Sequence, residues 1–307
     1  MMEVLNRLED MAPHMRGACV AIGNFDGVHP GHQAVIGRAA QERKPGSPLG
    51  VLTFNPHPRR FFQPDAPPFY LTSFEDKVKL IGGMGVDVLF ALHFDAALAA
   101  MTAHEFVADI LVQRLQVAHV TIGHDFHFGK GRGGTPQGLI DLGQQFGFGV
   151  SLVDPVAGDQ GVFSSTQIRK FLAEGDLDHA TALLGRPWSI SGVVVHGDQR
   201  GRTINFPTAN ILLGDYLEPA LGVYAVRITD SAGKSMIGVA NLGRRPTFNG
   251  LGVRLEAHIF DFDGDLYGQT LNVALIAFIR PERKFDGLAA LTAQIAADAQ
   301  TARALLS

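Results

Sequence analysis

The chain has 307 residues, of which 46% are hydrophobic and 18% are charged, and its formal net charge is −4. These values indicate a globular protein of about two domains, and the negative balance excludes the general basic field of a nucleic-acid-binding protein. One cysteine excludes an internal disulfide framework and favours a cytoplasmic location, and no apolar run approaches the roughly 20 residues of a membrane span, so no membrane partner is expected.

The first predicted strand leads into a glycine-rich turn with two histidines. Residues 18–22 are small and apolar, as in a buried strand, and residues 33–43 can form a helix. Between them lies Gly-Asn-Phe-Asp-Gly-Val-His-Pro-Gly-His, residues 23–32. Glycines let the backbone approach a ligand closely, and the N–H groups of a helix N-terminus attract phosphate. If the helix begins here, His29 and His32 share a face, so the stretch predicts a triphosphate site.

Two other interpretations of the histidines are open. A zinc site would need a third and usually a fourth ligand, and Cys19 is the only cysteine, so other histidines or carboxylates would have to complete it. Both residues could instead be ordinary surface histidines in a turn. The glycines and the Phe25-Asp26-Gly27 run beside them favour the phosphate site over both alternatives.

The rest of the first half alternates predicted strands with predicted helices. The strands are 48–54, 86–92, 117–122 and 149–153, and the helices are 73–84, 103–115 and 137–146. This alternation is typical of parallel βαβ units in a doubly wound sheet. Such sheets bind ligands beyond the carboxyl ends of their strands, which is where the chemically suggestive motifs of this half lie.

Two of these motifs follow strands directly. In Asn55-Pro56-His57-Pro58 the prolines predict an extended loop that aims Asn55 and His57, although a rigid turn without a ligand explains the prolines equally well. Residues 123–134 form a long loop with glycines, two aromatic residues, Lys130 and Arg132. Loops of that length without regular structure are often functional, and a flat aromatic ligand beside a phosphate would suit this one.

The last motif of this half is Ser164-Ser165-Thr166-Gln167-Ile168-Arg169. A Ser or Thr before an apolar-periodic run is a common helix cap and needs no ligand. Arg169 would fall in the first turn of that helix, where a positive charge opposes the helix dipole. This conflict favours contact between Arg169 and a bound polyphosphate.

The alternation of helix and strand stops near Arg186, where we place the domain boundary. The predicted strands that follow are 189–196, 208–213, 223–229, 235–241, 254–260 and 270–279. Closely spaced strands with Gly, Pro and Asp turns are typical of a small antiparallel barrel, and Asp263-Gly264 predicts a hairpin. Residues 285–305 are rich in alanine with helical spacing of apolar residues, so a terminal helix is expected to pack on the barrel.

This second half has its own polar cluster. If Thr208 and Asn210 lie on extended chain, both side chains face the same way, and a hydroxyl with an amide oxygen can hold Mg²⁺ beside phosphate. A loop ending at Pro207 explains the proline but not this pairing. Glu256 lies on an alternating strand and shares its face with His258; it is either a solvated carboxylate, the commoner case, or a general base.

Together these motifs resemble the bacterial bifunctional riboflavin kinase and FMN adenylyltransferase family, also called FAD synthetase. The resemblance covers nearly the whole chain and rests on GNFDGVHPGH, FNPHP, DFHFGKG and SSTQIR in the first half, and on GRTINFPTAN, LGVYAV, GVANLGRRPTF, LEAHIFDFDGDLYG and RPERKF in the second. HxGH alone indicates only the wide nucleotidyltransferase superfamily, whereas PTAN with a downstream glutamate is specific to riboflavin kinase.

The resemblance implies a Rossmann-like nucleotidyltransferase domain with a parallel sheet in residues 1–185 and a riboflavin kinase barrel with a terminal helix in residues 186–307. The kinase would transfer the γ-phosphoryl group of ATP to riboflavin, which gives FMN. The first domain would join FMN to AMP from a second ATP, which gives FAD and pyrophosphate. The implied cofactor is Mg²⁺.

The resemblance also implies residue roles. Glu256 would be the catalytic base of the kinase, with Thr208 and Asn210 holding Mg²⁺ and phosphate. In the adenylyltransferase, His29 and His32 would stabilise charge on the phosphates, and Arg169 would complete the catalytic set. The implied nucleotide or flavin contacts are Gly23, Phe25, Asp26, Gly27, Asn55, His57, Asp125, Lys130, Ser165, Thr166, Gly201 and Arg202.

Three positions depart from the family pattern. His127 stands where the family usually has Arg, Asn205 where it has Gly, and Thr135 where an acidic residue is frequent. Two rival hypotheses remain: a kinase with a degenerate adenylyltransferase domain, and a non-catalytic flavin-binding protein. The intact His29, His32 and SSTQIR argue against the first, and the intact PTAN and glutamate argue against the second.

Overall fold

The computed structural model describes residues 1–196, 206–247 and 250–307. The chain divides into two compact units: Met1–Ala66 with Phe74–Phe163, and Pro67–Ser73 with Ser164–Ser307. A short segment from the first half of the chain, Pro67–Ser73, therefore belongs to the second unit. The predicted boundary between residues 185 and 186 concerns which part of the chain carries each activity, and it stays a prediction.

The first unit is built on six parallel strands. These are β1 (Glu3–Leu5), β2 (Cys19–Ile22), β3 (Leu49–Asn55), β4 (Val88–His93), β5 (His119–Gly123) and β6 (Gly149–Val153), in the order β1-β4-β3-β2-β5-β6. The helices between them are α1 (Pro30–Gln41), α2 (Pro58–Phe62), α3 (Phe74–Gly82), α4 (Ala96–Ala100), α5 (Ala103–Glu105) and α6 (Pro136–Phe146). A two-stranded ribbon of β7 (Ala157–Gly158) and β8 (Gly161–Val162) follows.

The central strand β2 is buried on both faces, as its uninterrupted apolar sequence predicts. Val20 and Ile22 belong to one hydrophobic cluster, whereas Ala21 belongs to the cluster on the other side of the sheet. Successive side chains of a strand point to opposite faces, so one small apolar run contributes to two cores. The parallel, doubly wound sheet predicted from the sequence is confirmed.

Two predicted elements of this unit differ in detail. The helix predicted over 103–115 begins as α5 but continues as a π-helix, Phe106–Arg114, in which the N–H of Leu115 bonds to the carbonyl of Ile110 at 2.9 Å. The three-residue strand β1 was not predicted, because so short an edge strand carries too few residues for a period of two to be recognised.

The second unit is an antiparallel barrel with flanking helices. It contains α7 (Ser165–Glu174), α8 (Leu177–Leu184), β9 (Ser189–Val193), β10 (Ala209–Leu212), β11 (Gly222–Thr229), β12 (Ser235–Thr247), β13 (Gly250–Ile259), β14 (Thr270–Pro281) and α9 (Leu288–Leu306). The strand order is β10-β13-β12-β11-β14-β9. Just past β9, the N–H of Val195 bonds to the carbonyl of Asn210 at 2.8 Å. This bridge joins the two edges, so the sheet is nearly closed and the predicted barrel is confirmed.

The hairpin predicted at Asp263-Gly264 is wrong. Strand β13 pairs with β10 and β12, whereas β14 pairs with β11 and β9. Residues 260–269 form the connection, which is far longer than the two-residue loop that an Asp-Gly hairpin requires. The Asp-Gly pair therefore belongs to an extended loop that crosses between strands which are not neighbours.

The terminal helix α9 is anchored on the barrel by an ion pair whose carboxylate is buried. The guanidinium of Arg280, on β14, donates to the Asp298 carboxylate at 2.6 and 3.0 Å, and Asp298 is only 4% exposed. Gln294 donates to the same carboxylate at 2.7 Å. Within the described ranges of the chain, no helix combines the length and hydropathy that crossing a membrane would require.

Candidate active sites

The first candidate site lies at the point where the strand order of the parallel sheet reverses. In the sheet, β3, β4 and β1 lie on one side of β2, and β5 and β6 lie on the other. The loops after β2 and β5 therefore diverge at their carboxyl ends, and the crevice between them is where doubly wound sheets bind ligands. Gly23 follows the end of β2, and Gly123 ends β5.

The turn after β2 has an unusual backbone. The N–H of Gly23 bonds to the carbonyl of Leu52 at 3.1 Å, and then Phe25, Gly27 and Val28 take φ values of 49°, 90° and 45°. A positive φ is rare for non-glycine residues and least favourable for a β-branched one such as Val28. Phe25 and Asp26 are buried, so their side chains shape the turn from inside.

The two histidines are brought together at the start of α1. His29 is the N-cap residue, and its Nδ1 accepts a hydrogen bond from the backbone N–H of His32 at 3.3 Å. The imidazole rings stack with centroids 3.6 Å apart and planes 18° apart. Because Nδ1 of His29 acts as an acceptor, the neutral ring carries its proton on Nε2. His29 can therefore donate from Nε2 to an anionic oxygen at the helix N-terminus.

A zinc site at His29 and His32 would require further metal ligands near the two rings. Within residues 1–196, 206–247 and 250–307, no three or more His, Cys, Asp or Glu side chains are grouped as a metal site would need.

The second motif ends β3 and opens a short helix. Asn55 is the last residue of β3, and its side chain is exposed. The prediction that both prolines form an extended loop is wrong at Pro58, which is the first residue of α2. His57 caps that helix, with Nδ1 accepting from the N–H of Arg59 at 3.0 Å. Proline is well suited to the first helical position because no partner awaits its missing N–H there.

The loop after β5 is more ordered than its composition suggested. Phe128 and Gly134 exchange two backbone hydrogen bonds at 3.1 and 2.8 Å, and the Phe128 side chain is buried in the core of the first unit. A Cβ on Gly129 would lie 2.6 Å from the Ala103 nitrogen, so only glycine fits there. Asp125 and Lys130, two of the predicted contacts, are both exposed.

The family departures at His127 and Thr135 have local explanations. Nδ1 of His127 lies 2.9 Å from the Asp125 carbonyl and so bonds to its own loop. Thr135 is the N-cap of α6, and its hydroxyl accepts from the N–H of Gly138 at 3.1 Å. Thr is an effective N-cap residue. The third departure, Asn205, lies outside the described residues.

An aromatic cluster beside Asn55 was missed by the sequence interpretation. Phe94 contacts three other rings edge-on, with centroid distances of 5.7 Å to Phe54, 5.5 Å to Phe61 and 5.7 Å to Phe62. Phe62 is 62% exposed. The available signal was Phe61-Phe62 directly after the Asn-Pro-His-Pro motif, since a large aromatic residue left in solvent near a ligand site is informative.

The SSTQIR residues lie in the second unit, on α7. Ser165 and Thr166 are the first two residues of the helix, and Ser164, its N-cap, makes no side-chain capping bond. Nε of Arg169 donates to the Phe69 carbonyl at 2.8 Å, and the guanidinium carbon lies 5.6 Å from the centroid of the Phe69 ring. The Pro67–Ser73 segment therefore fixes the direction of the Arg169 side chain.

The barrel places its polar candidates on three adjacent strands. Glu256, on β13, is paired in register with Asn210 on β10 and with Asn241 on β12. Paired residues of an antiparallel sheet project to the same face, so a carboxylate lies between two amide side chains. Exposure along β13 alternates as predicted, with Glu256 and its face half-buried and the intervening residues buried.

Thr208 precedes β10, and its backbone contacts Asn210. Nδ2 of Asn210 donates to the Thr208 carbonyl at 3.1 Å, which leaves Oδ1 as the Asn210 atom suited to a cation. Nδ1 of His258 lies 2.9 Å from the Pro207 carbonyl, so the segment before β10 is tied to β13. Asn241 was not predicted; its position on an alternating strand beside the glutamate strand was the only signal for it.

A cleft of about 400 Å³ opens beside Thr208 and Asn210, and Glu256 is not among the residues that line it. Its lining includes Thr208, Asn210, Ala257 and the loop Phe262–Tyr267. The predicted contacts Gly201 and Arg202 lie outside the described residues.

The comparisons with known proteins agree with this arrangement of domains. A family model described as FAD synthetase matches residues 11–167, and one described as riboflavin kinase matches residues 184–306. Bifunctional riboflavin kinase/FMN adenylyltransferases are 41% identical in Escherichia coli (strain K12), over 98% of this chain and 97% of that protein, and 43% identical in Pseudomonas fluorescens, over 99% and 98%. A crystal structure from Streptococcus pneumoniae, described as a macrolide-efflux protein, has a TM-score of 0.85 and 34% identity, with 98% of each chain covered.

The first unit is a parallel sheet with a candidate ligand site at its topological switch point. The second is a barrel that matches riboflavin kinase, and together they define a two-domain transferase that acts on flavins. The chain belongs to the bifunctional riboflavin kinase/FMN adenylyltransferase family. The resemblance and the activities expected from the motifs are thereby confirmed.

Proposed function

We propose that the switch-point site of the first unit adenylates FMN and that the barrel site phosphorylates riboflavin, with residues 1–185 and 186–307 as the respective domains. The observation that carries this proposal is the presence of a separate polar site in each unit. One is the stacked His29–His32 pair at a helix N-terminus, and the other is Glu256 between Asn210 and Asn241.

In the barrel, the ribityl hydroxyl of riboflavin attacks the γ-phosphorus of ATP. The hydroxyl proton passes to the Glu256 carboxylate, and the bond from the γ-phosphorus to its bridging oxygen breaks to release ADP. Such a transfer depends on in-line positioning and on neutralising charge. The cleft beside Thr208 and Asn210 is the proposed nucleotide pocket, and Gly201 and Arg202 remain proposed contacts.

The donor set of the barrel site fits Mg²⁺. A hydroxyl (Thr208), an amide oxygen (Oδ1 of Asn210) and a carboxylate (Glu256) are hard oxygen donors, which Mg²⁺ prefers. Thr208 and Asn210 would hold the ion, and when bound it would neutralise charge on the ATP phosphates. The residues themselves orient the phosphates and take up the hydroxyl proton.

In the first unit, a phosphate oxygen of FMN attacks the α-phosphorus of ATP, and pyrophosphate leaves as the bond to the bridging oxygen breaks. The imidazoles of His29 and His32 donate to the phosphate oxygens as negative charge develops. Asn55, His57, Asp125 and Lys130 are proposed contacts of the nucleotide or the flavin. The exposed ring of Phe62, in its aromatic cluster, offers a stacking surface for a flat flavin ring.

Gly23 and Gly27 would let the backbone approach the phosphates, with Phe25 and Asp26 shaping the turn. Ser165, Thr166 and Arg169 are proposed to orient ATP for the same reaction.

We also propose a cytoplasmic location, which the buried single cysteine, Cys19, suits.

The direct test is to incubate the purified full chain with riboflavin, ATP and Mg²⁺ and to separate the flavin products. We expect FMN and then FAD. His32→Ala should abolish FAD formation from supplied FMN and leave FMN formation intact. FMN without FAD from the wild-type chain would overturn the bifunctional proposal in favour of a kinase alone, and no product would leave a flavin-binding protein.

A further inference from the structure

A buried lysine on α3 contacts the turn that carries the histidines. Lys77 is only 6% exposed, and its Nζ donates to the Asn24 carbonyl at 2.8 Å. The hydroxyl of Thr53, which is fully buried on β3, donates to the same carbonyl at 3.1 Å. One carbonyl oxygen of the glycine-rich turn is thus held by two donors from two other elements.

Burying an ammonium group is costly unless charge and hydrogen bonds compensate it. Burial lowers the pKa of Lys77, and the buried carboxylate of Asp26 acts in the opposite direction. Asp26 lies in the same turn, two residues after the carbonyl that Lys77 holds. The charge of Lys77 is therefore bonded to a carbonyl of this turn and attracted by a carboxylate of the same turn, and an apolar side chain of similar length would satisfy neither.

The held carbonyl lies next to the strained part of the turn. Asn24 immediately precedes Phe25, whose φ is 49°, and Val28 at 45° follows. Non-glycine residues in this region are strained and persist only where the surroundings hold them. The ring of Phe25 in turn contacts His32 edge-on, with centroids 5.4 Å apart, so a relaxed turn would withdraw the support of the His32 imidazole.

We propose that Lys77 is a positioning residue of the adenylyltransferase site: it holds the Asn24 carbonyl, and thereby keeps the turn in the conformation that seats His32. The inference rests on the proposed function of His32. Lys77 makes no contact with substrate in this scheme, and its influence reaches the reaction through Asn24, Phe25 and His32.

The test compares Lys77→Met with Lys79→Met in the full chain. Lys79 lies on the same helix, but its side chain is 72% exposed and only 3.7 Å from the Asp76 carboxylate. Lys77→Met should lower kcat for FAD formation by about 10- to 100-fold, the range expected from a displacement of about 1 Å, while KM for ATP changes by less than about threefold. Lys79→Met should change neither, and both variants should form FMN at the wild-type rate.

A second readout separates positioning from general loosening of the fold. The side-chain ¹H–¹⁵N resonances of His32 should shift in Lys77→Met and stay in place in Lys79→Met. If Lys77→Met does not fold, Thr53→Val takes its place, because it removes one donor to the Asn24 carbonyl and leaves the charge. It should lower kcat for FAD formation by about fivefold, since one neutral hydrogen bond contributes about 1 kcal/mol.

The possible failures are distinguishable. If wild-type chain forms FAD and His32→Ala abolishes it, but a folded Lys77→Met retains kcat within about twofold, the inference about Lys77 is wrong and the proposed function stands. An unchanged kcat in Thr53→Val would overturn it in the same way where Lys77→Met does not fold. A wild-type chain that makes no FAD would remove the proposed function, and the inference with it.

Discussion

Glu256 on β13 faces Asn210 on β10 across one register position of the barrel sheet. The pairing is fixed by the backbone ladder, so the sheet itself sets the relative position of the carboxylate and the amide. On the other side, β12 brings Asn241 to the same register position. A proton acceptor held this way on three paired strands is positioned by rigid elements, which a reaction that depends on alignment requires.

The carboxylate should be indispensable for phosphorylation alone. We expect Glu256→Gln to lower kcat for FMN formation by about 10²- to 10⁴-fold, the usual contribution of a general base, because the amide is nearly isosteric but cannot accept the hydroxyl proton. FAD formation from supplied FMN should be unchanged. Glu174→Gln is the control, since Glu174 lies in the same unit, with its side chain 54% exposed. An equal loss of both reactions in folded Glu256→Gln would contradict the assigned role.

His258 should act through the segment before β10. Its Nδ1 bonds to the Pro207 carbonyl at 2.9 Å, and Thr208 is the next residue. Removing this bond in His258→Ala should raise KM for ATP in the kinase reaction, with kcat/KM lower by about fivefold for a loss of about 1 kcal/mol. His258→Asn could restore part of the bond through its amide donor and should recover part of the activity. Steady-state kinetics at varied ATP checks both variants, and an unchanged KM in His258→Ala would refute the argument.

The alternating pattern of the sequence predicted the fold well because it reflects burial directly. The uninterrupted apolar run at Cys19–Ile22 indicates a strand buried on both faces, as in a doubly wound sheet. The alternation along β13 indicates a strand with one buried face, as in a barrel. The Asp263-Gly264 hairpin was wrong for the opposite reason. A turn signal is local, whereas the choice of strand partner depends on the whole sheet.

The candidate sites were predictable only in part. His29 and His32 were found because three-residue spacing at a helix start has a direct geometric meaning. The contact of Lys77 with Asn24 and that of Arg169 with Phe69 join positions 53 and 100 residues apart in the chain, and no local pattern indicates them. The two adjacent aromatic residues Phe61 and Phe62 were visible in the sequence, but the exposure of Phe62, which makes it a candidate, depends on tertiary packing.

The anchor of α9 offers a test of stability. Arg280 and Asp298 form a bidentate pair in which the carboxylate is buried and the guanidinium is half-buried, so Asp298→Ala leaves the guanidinium without its carboxylate and should cost about 2–3 kcal/mol, below the value for a fully buried pair. Asp261→Ala is the matched control, because Asp261 pairs with Arg303 at 2.8 Å but its side chain is 78% exposed. The loss in Asp261→Ala should be much smaller, because solvent screens an exposed ion pair. Denaturant unfolding followed by the fluorescence of Trp188, which is in the second unit, checks the difference.

Equal losses in the two variants would show that the Arg280–Asp298 pair does not anchor the helix. A barrel that unfolds at the wild-type denaturant concentration in Asp298→Ala would show the same.

The amino-terminal edge of the parallel sheet should make stability depend on pH. His119 lies at the start of β5, with Nε2 2.9 Å from the Ser151 hydroxyl, and that hydroxyl donates to the Glu42 carboxylate at 3.2 Å. Burial lowers the pKa of His119 below 6.5, against the opposing effect of Glu42 and with a smaller contribution from Arg38. The folded state therefore binds this proton less readily than the unfolded state does.

The contribution of His119 to the free energy of unfolding should consequently be fully present above about pH 6.5. It should decrease as the pH falls from there through the pKa of His119 in the folded state, because the unfolded chain takes up the proton first. His119→Gln should flatten this part of the profile. The lowered pKa of Glu42, caused first by its bond with Arg38, acts in the same direction, but only as the pH falls below 4.5, so the two windows separate. Free energies of unfolding of the first unit from pH 4 to pH 8 test this, and a profile that is unchanged in His119→Gln would exclude His119 as its cause.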